Sequence, residues 1–418
     1  MTVFEIIAII LGLAALSGYL NYRFLHFPPS IGQMAFALAL SGTALLLQAA
    51  GIADFSSATS FVHQIDFSNV LLRGMLSFLL FAGALHIDSG DLKNVVWPVA
   101  LLATVGVAIA TFVTGTLVFY AASLAGLYID YIYALLFGAL ISPTDPIAVL
   151  AILKRSGISK SLFVKIGTES LFNDGVGIVA FLTILGLATS PHEATATEVA
   201  LSLLREAVGG AALGLFLGWA TYRLLLPIDE YRVEIMLTLA LTSCGYAVAE
   251  WLGVSAPICI VVAGLFIGNR ARNFGMSERT RHRLDQFWEL IDEILNAVLF
   301  MLIGFEVVVI SFTARHVLLG GMAVAAMLIG RWTSVGSLVG LMRPFQRFEA
   351  GTISLLTWGG LRGGLSIAMA LSLPAGPEKG IILPMTYLVV LFSILVQGLT
   401  FKRTLRIILP AVAADIER

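Results

Sequence analysis

Charge is scarce along these 418 residues. Asp, Glu, Lys and Arg together make up 12% of the chain, against about 25% in an ordinary soluble domain. With 58% of residues hydrophobic and a mean hydropathy of +0.95, too little polar surface remains to face water, so lipid is the expected solvent. Cysteine is nearly absent: Cys244 and Cys259 sit in apolar stretches without metal-ligand spacing and read as small buried residues. No zinc pattern, P-loop, GxSxG elbow or HExxH occurs, so the common motifs of nucleotide and hydrolytic chemistry are missing. The start, MTVFEIIAIILGLAALSGYL, lacks a basic n-region and a small-residue cleavage site and reads as a retained first helix. No enzyme activity, cofactor or nucleic-acid partner is expected.

What the sequence does have is long apolar runs. Each approaches or exceeds the roughly 20 residues that span a bilayer core. They fall at about 3–20, 31–50, 70–87, 97–124, 131–153, 166–189, 206–226, 234–251, 255–269, 292–312, 317–341, 351–373 and 381–400. The expected fold is an all-α polytopic membrane protein of about thirteen transmembrane helices, one transmembrane domain over 1–418 with no sizeable soluble domain. The gap 270–291, NRARNFGMSERTRHRLDQFWEL, reads as an interfacial amphipathic stretch with Phe287, Trp288 and Leu290 toward lipid.

Basic residues test the count. With the N-terminus outside, nineteen of the 25 Lys and Arg fall in the alternate, cytoplasmic segments. Arg73, Arg205, Arg315 and Lys379 fall on the other side, and Arg331 and Arg362 within spans. One helix more or fewer scrambles this asymmetry, so an N-out, C-in orientation is expected.

An ionisable group at the membrane centre costs at least about 2.5–3.5 kcal/mol and is a functional candidate by default. The fifth span carries SPTDP, with Asp145 between Pro143 and Pro146. Each proline removes a backbone donor, leaving unpaired carbonyls near Thr144, and irregular backbone at that depth must line a cavity or be buried in protein. Carboxylate, hydroxyl and free carbonyl are hard ligands suited to a small cation. The sixth span carries GTESLFNDGVG, where Ser170 and Asp174 share one helical face, as do Glu169 and Asn173. Asp145 and Asp174 each lie eight residues from the inner ends of antiparallel spans, roughly 12 Å deep at 1.5 Å per residue. The plainer alternative is two structural acids satisfied by helix caps.

Arg331 and Arg362 need counter-ions at that depth. Glu169 is the candidate partner, for Arg331 in the first instance and for Arg362 as the alternative. Four glycines around Arg362, in TWGGLRGGLSIAMALSLP, suggest a second broken helix stabilised by that cation. The broken fifth and twelfth spans are seven helices apart and so cross in opposite senses, the mark of an inverted repeat with the ion site at the crossing. Glu306 reads as reaching the outer interface, and Asp88, Glu250 and Asp292 as lying at helix ends.

SPTDP, GTESLFNDGVG and TWGGLRGGLSIAMALSLP, in this order and spacing, resemble the monovalent cation:proton antiporters, in the branch of the prokaryotic NhaP proteins and eukaryotic sodium/proton exchangers. The resemblance covers nearly the whole chain. It implies two crossed discontinuous helices, an ion-translocating core around helices 3–6 and 10–13, a dimerisation scaffold from the rest, and elevator-like alternating access. It further implies a homodimer in a prokaryotic cell membrane that exchanges Na⁺, Li⁺ or K⁺ for protons. Asp174 would be the exchanged-ion carboxylate, with Ser170, Asp145 and the Thr144 backbone as further Na⁺ ligands. Asn173 would orient the site, and Glu169 would pair with Arg331. Because Asn173 is neutral, exchange is expected to be one-for-one and electroneutral. Many members carry an acid in an LF-x-G motif of the third helix; here LFAGAL places Ala82, so that ligand is missing from the pattern. The rival readings are a K⁺-preferring antiporter, a cation channel, which would pass Na⁺ without moving protons, and an intramembrane hydrolase. The last needs a nucleophile–His pair within a span, whereas all six histidines lie in loops or near helix ends.

Overall fold

A backbone amide in hydrocarbon has no water to bond, so long apolar runs fold as helices that satisfy their own N–H and C=O groups. The computed structural model, described for residues 3–51, 69–87, 96–153, 160–189, 196–271, 276–308, 310, 312–346, 348 and 351–408, is almost wholly helical over them. Helix α1 is Val3–Leu20 and α2 Pro29–Ala49. Helix α3, Leu76–Leu85, continues a wide π turn at Val70–Met75, and α4, Val96–Leu124, is interrupted at Thr104. Helix α5 comes in two halves, Tyr131–Ile141 and Ile147–Leu153, followed by α6, Lys160–Thr189. Then come α7 Ala196–Leu225, α8 Tyr231–Trp251, α9 Ala256–Phe266, α10 Glu278–Glu306 and α11 Ala314–Met342. Helix α12 is again two halves, Thr352–Trp358 and Gly364–Leu371. Helix α13, Pro377–Ile408, contains a π turn at Phe392–Gly398.

Among the described residues, eight helices are long and apolar enough to cross a membrane: α1, α2, α4, α6, α7, α8, α11 and α13. The other five are short (α3, α9), broken (α5, α12) or charged along one face (α10).

Helix α4 packs along α11 and along the first half of α5; α11 also packs on α13, and α6 on α5 and α4. Glycines permit this closeness: a Cβ at Gly138 would strike the carbonyl of Thr111, and one at Gly115 the carbonyl of Ala134, the small-residue contact that lets membrane helices approach. On the other side, α9 packs on α7, α8 and α3, and α10 on α2 and α3. Helices α3 and α10, counted above with the ion-translocating core, thus make their main contacts with this second group.

Three expectations are corrected. The stretch 278–291 is not a separate interfacial element; it is the first half of α10, continuous with the span that follows. Trp288 is fully buried, donates its indole N–H to Thr238 Oγ1 at 3.1 Å and packs at a tilt against Phe81 with ring centroids 4.6 Å apart. Phe287 is half-buried beside it, and of the three residues expected to face lipid only Leu290 is exposed. An amphipathic period marks an apolar face but does not say whether lipid or protein meets it. Secondly, Asp292 lies well inside α10 rather than at a helix end. Thirdly, Cys259 is buried but Cys244 is exposed on α8.

Candidate functional site

The break in α5 follows from its two prolines. The first half ends at Ile141, and neither Pro143 nor Pro146 has an N–H to continue the ladder. The freed carbonyls of Ser142 and Pro143 accept from Nη1 of Arg362, at 3.2 and 3.0 Å, so a cation sits at the negative end of that half-helix. The second half restarts with Asp145 in the capping position and Pro146 next, and Asp145 Oδ1 accepts the Ile147 N–H at 3.0 Å. Asp145 is therefore a helix cap through one oxygen; the structural and ion-binding readings of this residue are compatible.

Helix α12 breaks over Gly359–Gly363 and is held the same way. Arg331 Nε donates to the Leu356 carbonyl at 3.2 Å, and Gln397 Nε2 to that of Trp358 at 3.1 Å. Ser393 Oγ accepts the Arg362 N–H at 2.8 Å and donates to Gln397 Oε1 at 2.6 Å. The breaks meet directly: the Asp145 N–H donates to the Leu361 carbonyl at 2.8 Å, one antiparallel bridge. Each broken helix thus has an arginine at the carbonyl end of its first half, Arg362 for α5 and Arg331 for α12.

Gly363 makes the crossing possible. A Cβ there would fall on the Asp145 carboxyl group. Gly363→Ala is therefore expected to lower stability by about 1–3 kcal/mol, the usual cost of overpacking. Thermal melting of the purified variant checks this; an unchanged midpoint would mean the crossing yields without cost.

Helix α6 is pinned to the crossing by Asn173. Its Oδ1 accepts the Thr144 N–H at 3.1 Å, and its Nδ2 donates to Thr144 Oγ1 at 2.8 Å and Glu169 Oε1 at 2.9 Å. Thr144 Oγ1 and Ser170 Oγ share a further bond of 2.8 Å. Glu169 and Arg331 form a two-pronged ion pair, both contacts 2.7 Å, with only 1% and 4% of each residue exposed. Arg362 is equally buried, and its charge reaches Glu169 and Asp174 without an ion-pair contact.

Asp174 differs from all of these. It is half-buried, lies within electrostatic reach of Asp145 and Glu169, and accepts no hydrogen bond from any described residue. Three carboxylates face two guanidiniums at this crossing, so one negative charge is left over, and Asp174 is the acid with no donor. Sequence reasoning missed Ser142, Ser393 and Gln397. The last two were findable, as a polar pair four residues apart in an otherwise apolar span. Glu306 ends α10, half-buried, within electrostatic reach of Lys379, and Asp88 lies outside the described residues.

Comparison with known proteins adds an independent line. The family described as sodium/hydrogen exchanger, transmembrane, matches residues 11–407. The chain is 49% identical over 412 residues to the Na(+)/H(+) antiporter NhaP of Pseudomonas aeruginosa, covering 96% of each chain. It is 34% identical over 377 residues to the Na(+)/H(+) antiporter NhaH of Halobacillus aidingensis, covering 88% of this chain and 90% of that one. The structure of the sodium proton antiporter MjNhaP1 from Methanocaldococcus jannaschii superposes with a TM-score of 0.75 at 19% identity, covering 100% and 99%; at that identity the match speaks for the fold.

Proposed function

The chain belongs to the family of transmembrane sodium/hydrogen exchangers, a family of transporters rather than enzymes, and from that premise we propose that it exchanges Na⁺ for H⁺ by competition at Asp174. The observation that carries this reading is that three carboxyl groups meet two guanidiniums at the crossing and that Asp174 is the acid to which no described residue donates; fully ionised, the set carries one negative charge. One Na⁺ or one proton on Asp174 brings the cluster to neutrality; an empty carboxylate leaves it charged and unable to pass a dry barrier. Asp145, through the oxygen not used in capping, and the Thr144 and Ser170 oxygens are the further proposed Na⁺ ligands. Asn173 and the Glu169–Arg331 pair hold those ligands in place. The moving core in this proposal is α4–α6 with α11–α13, the group that packs around the crossing, and the rest is scaffold for a homodimer. The protein is proposed to lie in the cell membrane with its N-terminus outside and C-terminus in the cytoplasm, which the asymmetry of basic residues supports.

The test is Na⁺ addition to proteoliposomes loaded with a pH dye. Na⁺ is expected to drive protons outward, with Li⁺ and K⁺ compared in parallel. No proton movement with any of the three would end this reading.

Electroneutrality gives a sharper expectation. Wild-type flux should be equal with and without an imposed potassium/valinomycin potential. In Asn173→Asp a new carboxylate would face Glu169 Oε1, where the amide now donates. Two carboxylates so close do not readily both ionise, so the variant is expected to hold an extra proton and become voltage-dependent. Steep voltage dependence in the wild type would mean that a second acid, Asp145 first, also titrates in the cycle.

A further inference from the structure

One face of α10 carries acids at helical spacing: Glu289, Asp292 and Glu293, then Asn296 one turn on. On this face Glu289 and Glu293 are exposed, Asp292 is half-buried and Asn296 is 5% exposed. Together they line a cavity of about 490 Å³, whose opposite wall includes Ser30 and Gln33 of α2 and whose lining includes Ile147. Ile147 is the residue whose N–H caps onto Asp145, so the cavity ends two residues from the crossing. Asp292 is within electrostatic reach of Asp145. Acids do not face lipid at this depth unless they line water.

Asn296 is the informative residue. It follows Asp292 by one helical turn, and its Oδ1 is buried with no hydrogen-bond partner among the described residues. A buried amide oxygen is costly to leave unsatisfied, and here it lines a cavity beside an acid. Amide oxygen, carboxylate, Ser30 hydroxyl and Gln33 side chain form a hard-oxygen set suited to a small cation.

We propose that Asp292 and Asn296 hold a second, partly hydrated monovalent cation in this cavity, a waiting position for the ion next taken by Asp174. Its transport role rests on the exchange reading above; its existence as a binding site does not. Glu289 and Glu293 raise the local cation concentration at the mouth, since a charged cleft with low-dielectric walls focuses field lines. Asp292 completes the ligand set deeper in. The site acts before the exchange step and so governs capture rather than turnover.

Two arms test this. Crystals of Asp174→Asn soaked in Tl⁺ are expected to show anomalous density beside Asn296 Oδ1 and Asp292, absent when Asp292→Asn is added; no density there overturns the proposal. In proteoliposomes, Asp292→Asn and Asn296→Leu should each raise KM for Na⁺ about tenfold, near 1.4 kcal/mol, with kcat retained and Asp292→Glu restoring most of the affinity. An unchanged KM in folded variants, judged by their melting midpoints, also overturns it, as does a fall in kcat alone. Density beside Asn296 together with no Na⁺-driven proton movement in the wild type would instead sink the exchange reading and leave the site standing.

Discussion

Asp174→Asn is expected to abolish exchange and leave a folded protein. The neutral amide neither releases a proton nor balances Na⁺, so the leftover negative charge at the crossing disappears and nothing remains to exchange. Folding should survive because no described residue depends on the Asp174 carboxylate: the capping, bridging and pairing at the crossing all run through Thr144, Asn173, Glu169 and the two arginines. The contrast between lost flux and a retained melting midpoint is the informative result. Coupled exchange persisting in the folded variant would move the competition to another carboxylate, with Asp145 next in line.

The Glu169–Arg331 pair predicts the opposite pattern, a loss of stability first. Glu169→Gln and Arg331→Ala each leave a partner charged and buried, a cost of roughly 3–5 kcal/mol. Arg331→Ala should be the more damaging, because its Nε also holds the Leu356 carbonyl at the end of the first half of α12. Coupling in a double-mutant cycle is expected between Glu169 and Arg331, of about 0.5–3 kcal/mol. It should be far weaker between Glu169 and Arg362, whose guanidinium donates to α5 carbonyls instead. Strong coupling to Arg362, or melting midpoints unmoved by either single substitution, would contradict the geometry.

These arrangements were legible in the sequence to different depths. The α5 break was readable because proline chemistry is local: SPTDP removes two donors wherever it is placed. The shared faces of Glu169 with Asn173 and Ser170 with Asp174 follow from helical period alone. The choice between Arg331 and Arg362 as the partner of Glu169 was not readable from spacing, since it depends on how α11 and α12 cross α6. That one Asp145 oxygen caps the second half of α5 while its backbone N–H bridges to Leu361 was hidden for the same reason. The support of the α12 break by Ser393 and Gln397 depends on a π turn that no propensity marks, although two polar residues in the last apolar span were a clue. The amphipathic half of α10 misled because its apolar side meets Phe81 and Thr238 rather than lipid. Its polar side then carries Asp292 into the interior, where reading the helix as starting near 292 had put it at an end.

The most direct measurement of the central claim is simultaneous recording of ²²Na⁺ uptake and proton release in proteoliposomes at clamped potential. Competition at a single carboxylate predicts one proton out for each Na⁺ in, at every imposed potential, with both fluxes lost together in Asp174→Asn. Na⁺ entry without stoichiometric proton release, or Na⁺ flux surviving in that variant, would contradict exchange at Asp174 and point to a conducting pore.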